Sequence, residues 1–127
     1  MAKILIDTSI IIDHLRLKDK NQTILYKLFQ SKYNLFASIL THTETYAGKS
    51  IWEKEAARSQ LKNVLSGIKI IPLEEDVSEK AGEISTQYNL EIIDAIIAAT
   101  ALENKLTLAT LNTKDFKNIK GLKLFTE

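Results

Sequence analysis

The chain has 127 residues and a net charge of +1, with 45% hydrophobic and 26% charged residues, which is the balance of an ordinary globular domain able to bury a core. It has no cysteine, which excludes disulfide frameworks, thiolate zinc sites and cysteine nucleophiles and fits a reducing cytosol. No apolar run reaches bilayer length, and the opening Met-Ala-Lys-Ile-Leu-Ile-Asp is apolar too briefly for a signal peptide, so the expected location is the cytoplasm, without membrane contact.

With one proline, four glycines and no repeat or low-complexity run, residues 1–127 read as a single domain. Short apolar runs predict strands at 3–6, 35–38, 68–71, 107–109 and 122–125, the third ending at Pro72. Apolar residues at helical spacing predict helices over 21–30 and 51–65. Glu74, Glu75 and Asp76 suit the start of a helix over 77–88. The segment 92–102 is almost wholly apolar and reads as a buried helix. Strands alternating with helices require crossovers, hence a mainly parallel sheet between helical layers: an α/β/α sandwich. In such folds the functional crevice lies beyond the carboxyl ends of the strands. The residues expected there are Asp7, then Ser38 to Glu44, then Thr110 to Asp115.

Charge is unevenly spread. Residues 1–70 carry eleven Lys/Arg against six Asp/Glu, whereas residues 71–102 carry one against seven. Most of that acidic block reads as a solvated helix face, but Asp94 lies in Ile92-Ile93-Asp94-Ala95-Ile96-Ile97, the most apolar stretch of the chain. Glu91, three residues earlier, adds a second negative charge to the same helix face. Asp7 is likewise framed by apolar residues, and Asp7, Thr8 and Ser9 also fit the cap of the next helix. Glu44 alone reads as a surface glutamate. With two histidines at no regular spacing, His14 and His42 offer little for zinc. Acids converging on an apolar crevice repel one another, and a hard divalent cation, Mg²⁺ or Mn²⁺, is the natural compensation. Such a site suits phosphodiester hydrolysis without a protein nucleophile.

Four segments together resemble one family. Ile4-Leu5-Ile6-Asp7-Thr8-Ser9-Ile10-Ile11-Ile12-Asp13 is similar to the opening motif of PIN-domain proteins, especially VapC-type toxins of toxin–antitoxin pairs. Glu44 matches the family's acid at the start of its third helix, and Ile93-Asp94-Ala95-Ile96-Ile97-Ala98-Ala99-Thr100-Ala101 resembles its central acidic helix. Leu108-Ala109-Thr110-Leu111-Asn112-Thr113-Lys114-Asp115-Phe116 is similar to its C-terminal signature. The resemblance implies a Mg²⁺- or Mn²⁺-dependent endoribonuclease with Asp7, Glu44 and Asp94 as catalytic metal ligands, a homodimer, and a cognate antitoxin. Asn112 departs from the pattern, because many members carry a fourth acid there. It is expected to line the site with Thr8, Ser9, Thr110 and Glu91, and Asp115 is a secondary candidate.

Arg16, Lys18, Lys114 and Lys117 are the candidate RNA contacts, with Lys20, Lys105, Lys120 and Lys123 as further cations in the same stretches. Two other classes remain to be weighed: a receiver-like or haloacid-dehalogenase-like phosphate module with Asp7 as acceptor, and a non-catalytic binding domain. The first wants an acid two residues after Asp7, where Ser9 stands, or an acid pair before the acceptor strand, for which the N-terminus is too short.

Overall fold

In a computed structural model, which describes residues 2–127, the chain begins with β1 (Lys3–Ile6), α1 (Thr8–Arg16), a 3₁₀ turn (Lys20–Gln22) and α2 (Ile24–Gln30). It continues through β2 (Asn34–Ser38), α3 (Ile39–Tyr46), α4 (Lys49–Glu53), α5 (Glu55–Leu65), β3 (Lys69–Ile71) and α6 (Glu75–Tyr88). The last elements are α7 (Ile92–Glu103), β4 (Thr107–Ala109) and α8 (Thr113–Phe116). The strands form one sheet in the order β3-β2-β1-β4, and every pairing is parallel. The expected parallel α/β/α sandwich is therefore what forms.

The pleat explains the two cores. Leu5, Phe36 and Leu108 point to one face, where they meet Ala81 and Ile84 of α6 and Ala95 to Ala99 of α7. Ile4, Ile6, Leu35, Ala37 and Ala109 point to the other, against Ile10 and Ile11 of α1, Leu25 and Leu28 of α2, and Leu61 and Leu65 of α5. Strands buried on both faces have no polar alternation, which is why they read as plain apolar runs. Each fully buried Leu or Ile contributes roughly 1.5–3 kcal/mol.

Several boundaries differ from expectation for local reasons. The predicted helix over 21–30 is divided at Thr23, whose buried hydroxyl accepts from Tyr26 N at 3.1 Å and donates to Lys20 O at 3.0 Å. The predicted helix over 51–65 is broken at Lys54, which is extended at φ −129° and ψ 119°. Arg58 Nη1 donates to the freed carbonyls of Ile51 at 3.1 Å and Trp52 at 3.3 Å. The predicted strand over 122–125 shrinks to a single parallel bridge between Leu124 and Leu108. Glu44 is in the second turn of α3 and not at its start, because α3 follows β2 directly with Ser38 as N-cap, its hydroxyl accepting from Leu40 N at 3.1 Å. Finally, α7 is buried from Ala95 to Ala101, but its first turn opens to solvent.

The sheet order reverses at β1, which has β2 on one side and β4 on the other. The chain after β1 and the chain after β4 therefore diverge, and a crevice opens at their carboxyl ends.

Candidate active site

Asp7 leaves β1 and caps α1, with Oδ1 accepting from Thr8 N at 2.8 Å. Its Oδ2 accepts from Thr110 Oγ1 at 2.7 Å and from Ser9 Oγ at 3.1 Å. Asp7 is only 5% exposed, so these donors supply the solvation that burial removes. The two hydroxyls are held in turn by the loop after β4. Asn112 N donates to Thr110 Oγ1 at 3.0 Å, and Leu111 N donates to Ser9 Oγ at 3.1 Å. A carboxylate oxygen offers two acceptor positions, so Oδ2 is filled while Oδ1 keeps one free. One side chain thus both caps α1 and lines the cleft.

Glu44 reaches the crevice from α3, where its Oε1 accepts from Thr8 Oγ1 at 2.5 Å. Thr8 Oγ1 also lies 3.3 Å from the buried Thr41 hydroxyl. Asp94 enters in the first turn of α7. Its carboxyl is pushed up from 3.8 to about 6, first by burial, then by the charges of Asp7, Asp115, Glu91 and Glu44. Asp7, Glu44 and Asp94 line one cleft of about 460 Å³ with Thr8, Ser9 and Asn112. Among the described residues, no three His, Asp or Glu side chains stand close enough to ligate one ion as they are. Like charges in a half-buried cleft hold apart, and separate hydroxyl donors satisfy Asp7 and Glu44 individually.

This arrangement can be compared with known proteins. Residues 4–122 match the PIN domain. The chain belongs to the PIN-domain family. Ribonuclease VapC1 of Rickettsia felis is 33% identical over 97% of this chain and 95% of that protein. Ribonuclease VapC19 of Mycobacterium tuberculosis is 29% identical over 88% of this chain and 90% of that protein. Among solved structures, a toxin–antitoxin complex from Klebsiella pneumoniae superposes with a TM-score of 0.76 at 30% identity, covering 94% of both chains. The DNA-bound VapBC structure from Salmonella typhimurium, at 20% identity and a TM-score of 0.82 over 98% of both chains, shares the fold. Membership of the PIN-domain family removes the receiver-like and dehalogenase-like alternatives.

The PIN-domain cleft of this chain takes in most of the expected side chains but not all. Asn112 lines it, exposed and without a capping bond to α8. Glu91 is the N-cap residue of α7, and Asp115 is in α8; both act on Asp94 by charge without lining the cleft. Of the four candidate RNA contacts, Arg16 lines the cleft, while Lys18, Lys114 and Lys117 are exposed outside it. Lys20 is engaged elsewhere, its Nζ donating to the last carbonyls of α1, His14 O and Leu15 O, each at 2.7 Å. Lys105 and Lys123 line a different hollow with Thr107, at the amino end of β4. His14 is half-buried against Thr23, its Nδ1 2.7 Å from that hydroxyl, and burial followed by Lys20 holds its pKa below the ordinary value. Sequence reasoning did not single out Ile12, Asp13, Leu17 or Leu111, which also line the cleft. For the first three the signal was available: with Arg16, they continue along α1 at helical spacing from Ser9.

Proposed function

We propose that this chain is a divalent-metal-dependent endoribonuclease, the toxin of a type II toxin–antitoxin pair, with Asp7, Glu44 and Asp94 as its catalytic metal ligands. Divalent-metal dependence is general among PIN-domain ribonucleases, and hard oxygen donors without sulfur or imidazole favour Mg²⁺, with Mn²⁺ as the alternative. The observation that carries the reading is the convergence of Asp7, Glu44 and Asp94 on one cleft, where burial first and then the neighbouring acids raise the Asp94 carboxyl. That repulsion is what a bound cation relieves. Both named ribonuclease relatives align over most of their length, which supports the RNA substrate.

When bound, the ion activates water and stabilises charge on the leaving oxygen. The protein contributes position. Ser9, Thr110 and Thr8 N hold the Asp7 carboxylate in place, and Thr8 orients Glu44. Asp94 adds charge from α7, whose buried body fixes the height of its first turn. Asn112 supplies a neutral amide where a fourth charge would otherwise stand. Arg16 at the cleft, with Lys18, Lys114 and Lys117 beyond it, supplies cations for the RNA backbone. The partners proposed are RNA, a cognate antitoxin and a second copy of the chain. The chain is further proposed to be one domain over residues 1–127 and to act in the cytoplasm; among the described residues no helix is long and apolar enough to cross a membrane.

The test is cleavage of single-stranded RNA by purified protein with Mg²⁺, with Mn²⁺, and after chelation. Asp7→Asn and Asp94→Asn should abolish product while leaving a cooperative unfolding transition. Cleavage by either variant at the wild-type rate would remove that residue from the site.

A further inference from the structure

Beyond the three acids, Thr8, Ser9 and Asn112, five side chains line the cleft: Ile12, Asp13, Arg16, Leu17 and Leu111. Arg16 forms no ion pair among the described residues. Leu17 is 40% exposed and Leu111 47% exposed. A single exposed leucine needs no explanation, but two of the large exposed apolar side chains lining one cleft beside three acids point to contact. They come from different elements, Leu17 from the end of α1 and Leu111 from the loop after β4. Both backbones are pinned. Leu17 N donates to Asp13 O at 3.1 Å. Leu111 N donates to Ser9 Oγ, the hydroxyl that itself donates to Asp7 Oδ2, so Leu111 sits at a set height above the acid.

Resting on the endoribonuclease reading, we propose that Leu17 and Leu111 hold the base of one nucleotide while Arg16 meets an adjacent phosphate, and that this grip fixes which bond of the strand lies over the acids. RNA recognition commonly places an unstacked base against an apolar or planar side chain, and every base has an apolar face. A cleft of about 460 Å³ falls within the usual size range of small-ligand sites. A nucleotide carries an apolar base face and a phosphate charge in one unit, whereas a lone apolar side chain from a protein partner brings no negative charge for Arg16.

The experiment uses the full chain with Mg²⁺ and a short single-stranded RNA whose cut position is mapped by sequencing the products. One abasic nucleotide is then placed at each position around the cut. One position beside the cut should raise KM about tenfold, with kcat changed less. The Leu17→Ala, Leu111→Ala double variant should raise KM similarly on intact RNA, spread the cut over neighbouring bonds, and no longer respond to the abasic site. Leu111→Met, which keeps the bulk, should restore KM, and Arg16→Gln should reduce the salt dependence of binding by about one charge. Circular dichroism confirms that each variant is folded. A double variant that keeps the wild-type cut position and the wild-type response to the abasic site overturns the proposal. Unchanged KM with lost binding of a co-expressed protein inhibitor assigns the leucines to a protein partner and also overturns it. No cleavage by wild type with either ion would instead remove the ribonuclease reading, and this proposal with it.

Discussion

Asp94→Asn should stabilise the protein at neutral pH while destroying its activity. Burial, followed by the charges of Asp7, Asp115, Glu91 and Glu44, moves the Asp94 carboxyl from 3.8 to about 6. Between those two values the folded chain keeps a proton that the unfolded chain has released. Stability attributable to this group therefore falls as pH rises through that window, and ionised Asp94 is a fixed cost above it. In a dry site the displacement would correspond to about 3 kcal/mol. Asp94 is only half-buried, and solvent screening brings the figure to about 1 kcal/mol. Its alignment with the N-terminus of α7 weighs a few tenths of a kcal/mol the other way, roughly, and does not reverse the sign. Thermal unfolding in chelator at pH 7 should give the variant a midpoint about 3 °C higher. At pH 4 most of that gain should be gone, because the folded wild type is then protonated. Added Mg²⁺ should raise the wild-type midpoint and leave the variant nearly unmoved. RNA cleavage by the same variant should fall by about a thousandfold or more. A midpoint at pH 7 equal to or below that of wild type would refute the claim that ionised, half-buried Asp94 is a cost to the folded chain.

Three further substitutions test the hydrogen bonds and the charge of the cleft. Thr110→Val keeps the shape of a buried side chain but strips a donor from Asp7 and an acceptor from Asn112 N, so urea unfolding should show a loss of about 1.5–3 kcal/mol. The same variant should also lose activity, since Asp7 is then freer to rotate. Asn112→Asp restores a charge at the cleft, and calorimetric titration should show tighter or additional Mg²⁺ binding; identical stoichiometry and affinity would count against any influence of Asn112 on the ion. Thr23→Val removes the N-cap of α2 and the partner of His14 from a fully buried position, and should cost about 2 kcal/mol in chemical unfolding while RNA cleavage by the folded fraction stays intact.

The parts of the fold legible in the sequence were those set by burial on both sides. β1 and β4 lie where their short apolar runs placed them, and α7 matches its apolar stretch to within one residue at its end. What escaped was decided by single polar contacts. Apolar spacing over 51–65 is nearly continuous across Lys54, so only the rescue of two carbonyls by Arg58 marks the break. Thr23 reads as an unremarkable polar residue until its hydroxyl is seen bonded to both the turn and the helix. Residues 122–125 have strand-like composition, but pairing amounts to one bridge and two flanking bonds, Leu108 N to Lys123 O at 2.9 Å and Phe125 N to Leu108 O at 2.8 Å. Asp7 and Asp94 were recognisable because an acid inside an apolar run needs a reason. Glu44 carries no such mark, being exposed on a short helix, and was identified through family likeness. The lysines were misleading for a geometric reason: neighbours in sequence such as Lys114 and Lys123 belong to opposite ends of β4.

The hydroxyl bonds between Asp7 and Thr110, and between Ser9 and Leu111 N, join residues 103 and 102 positions apart. A growing polypeptide has emitted Asp7 long before Thr110 leaves the ribosome. Until β4 docks beside β1, the first aspartate lacks its strongest donor and the wall that carries Leu111 does not exist. Products terminated or clipped before β4 lack Thr110, the hydroxyl that holds Asp7, and the Leu111 wall of the cleft.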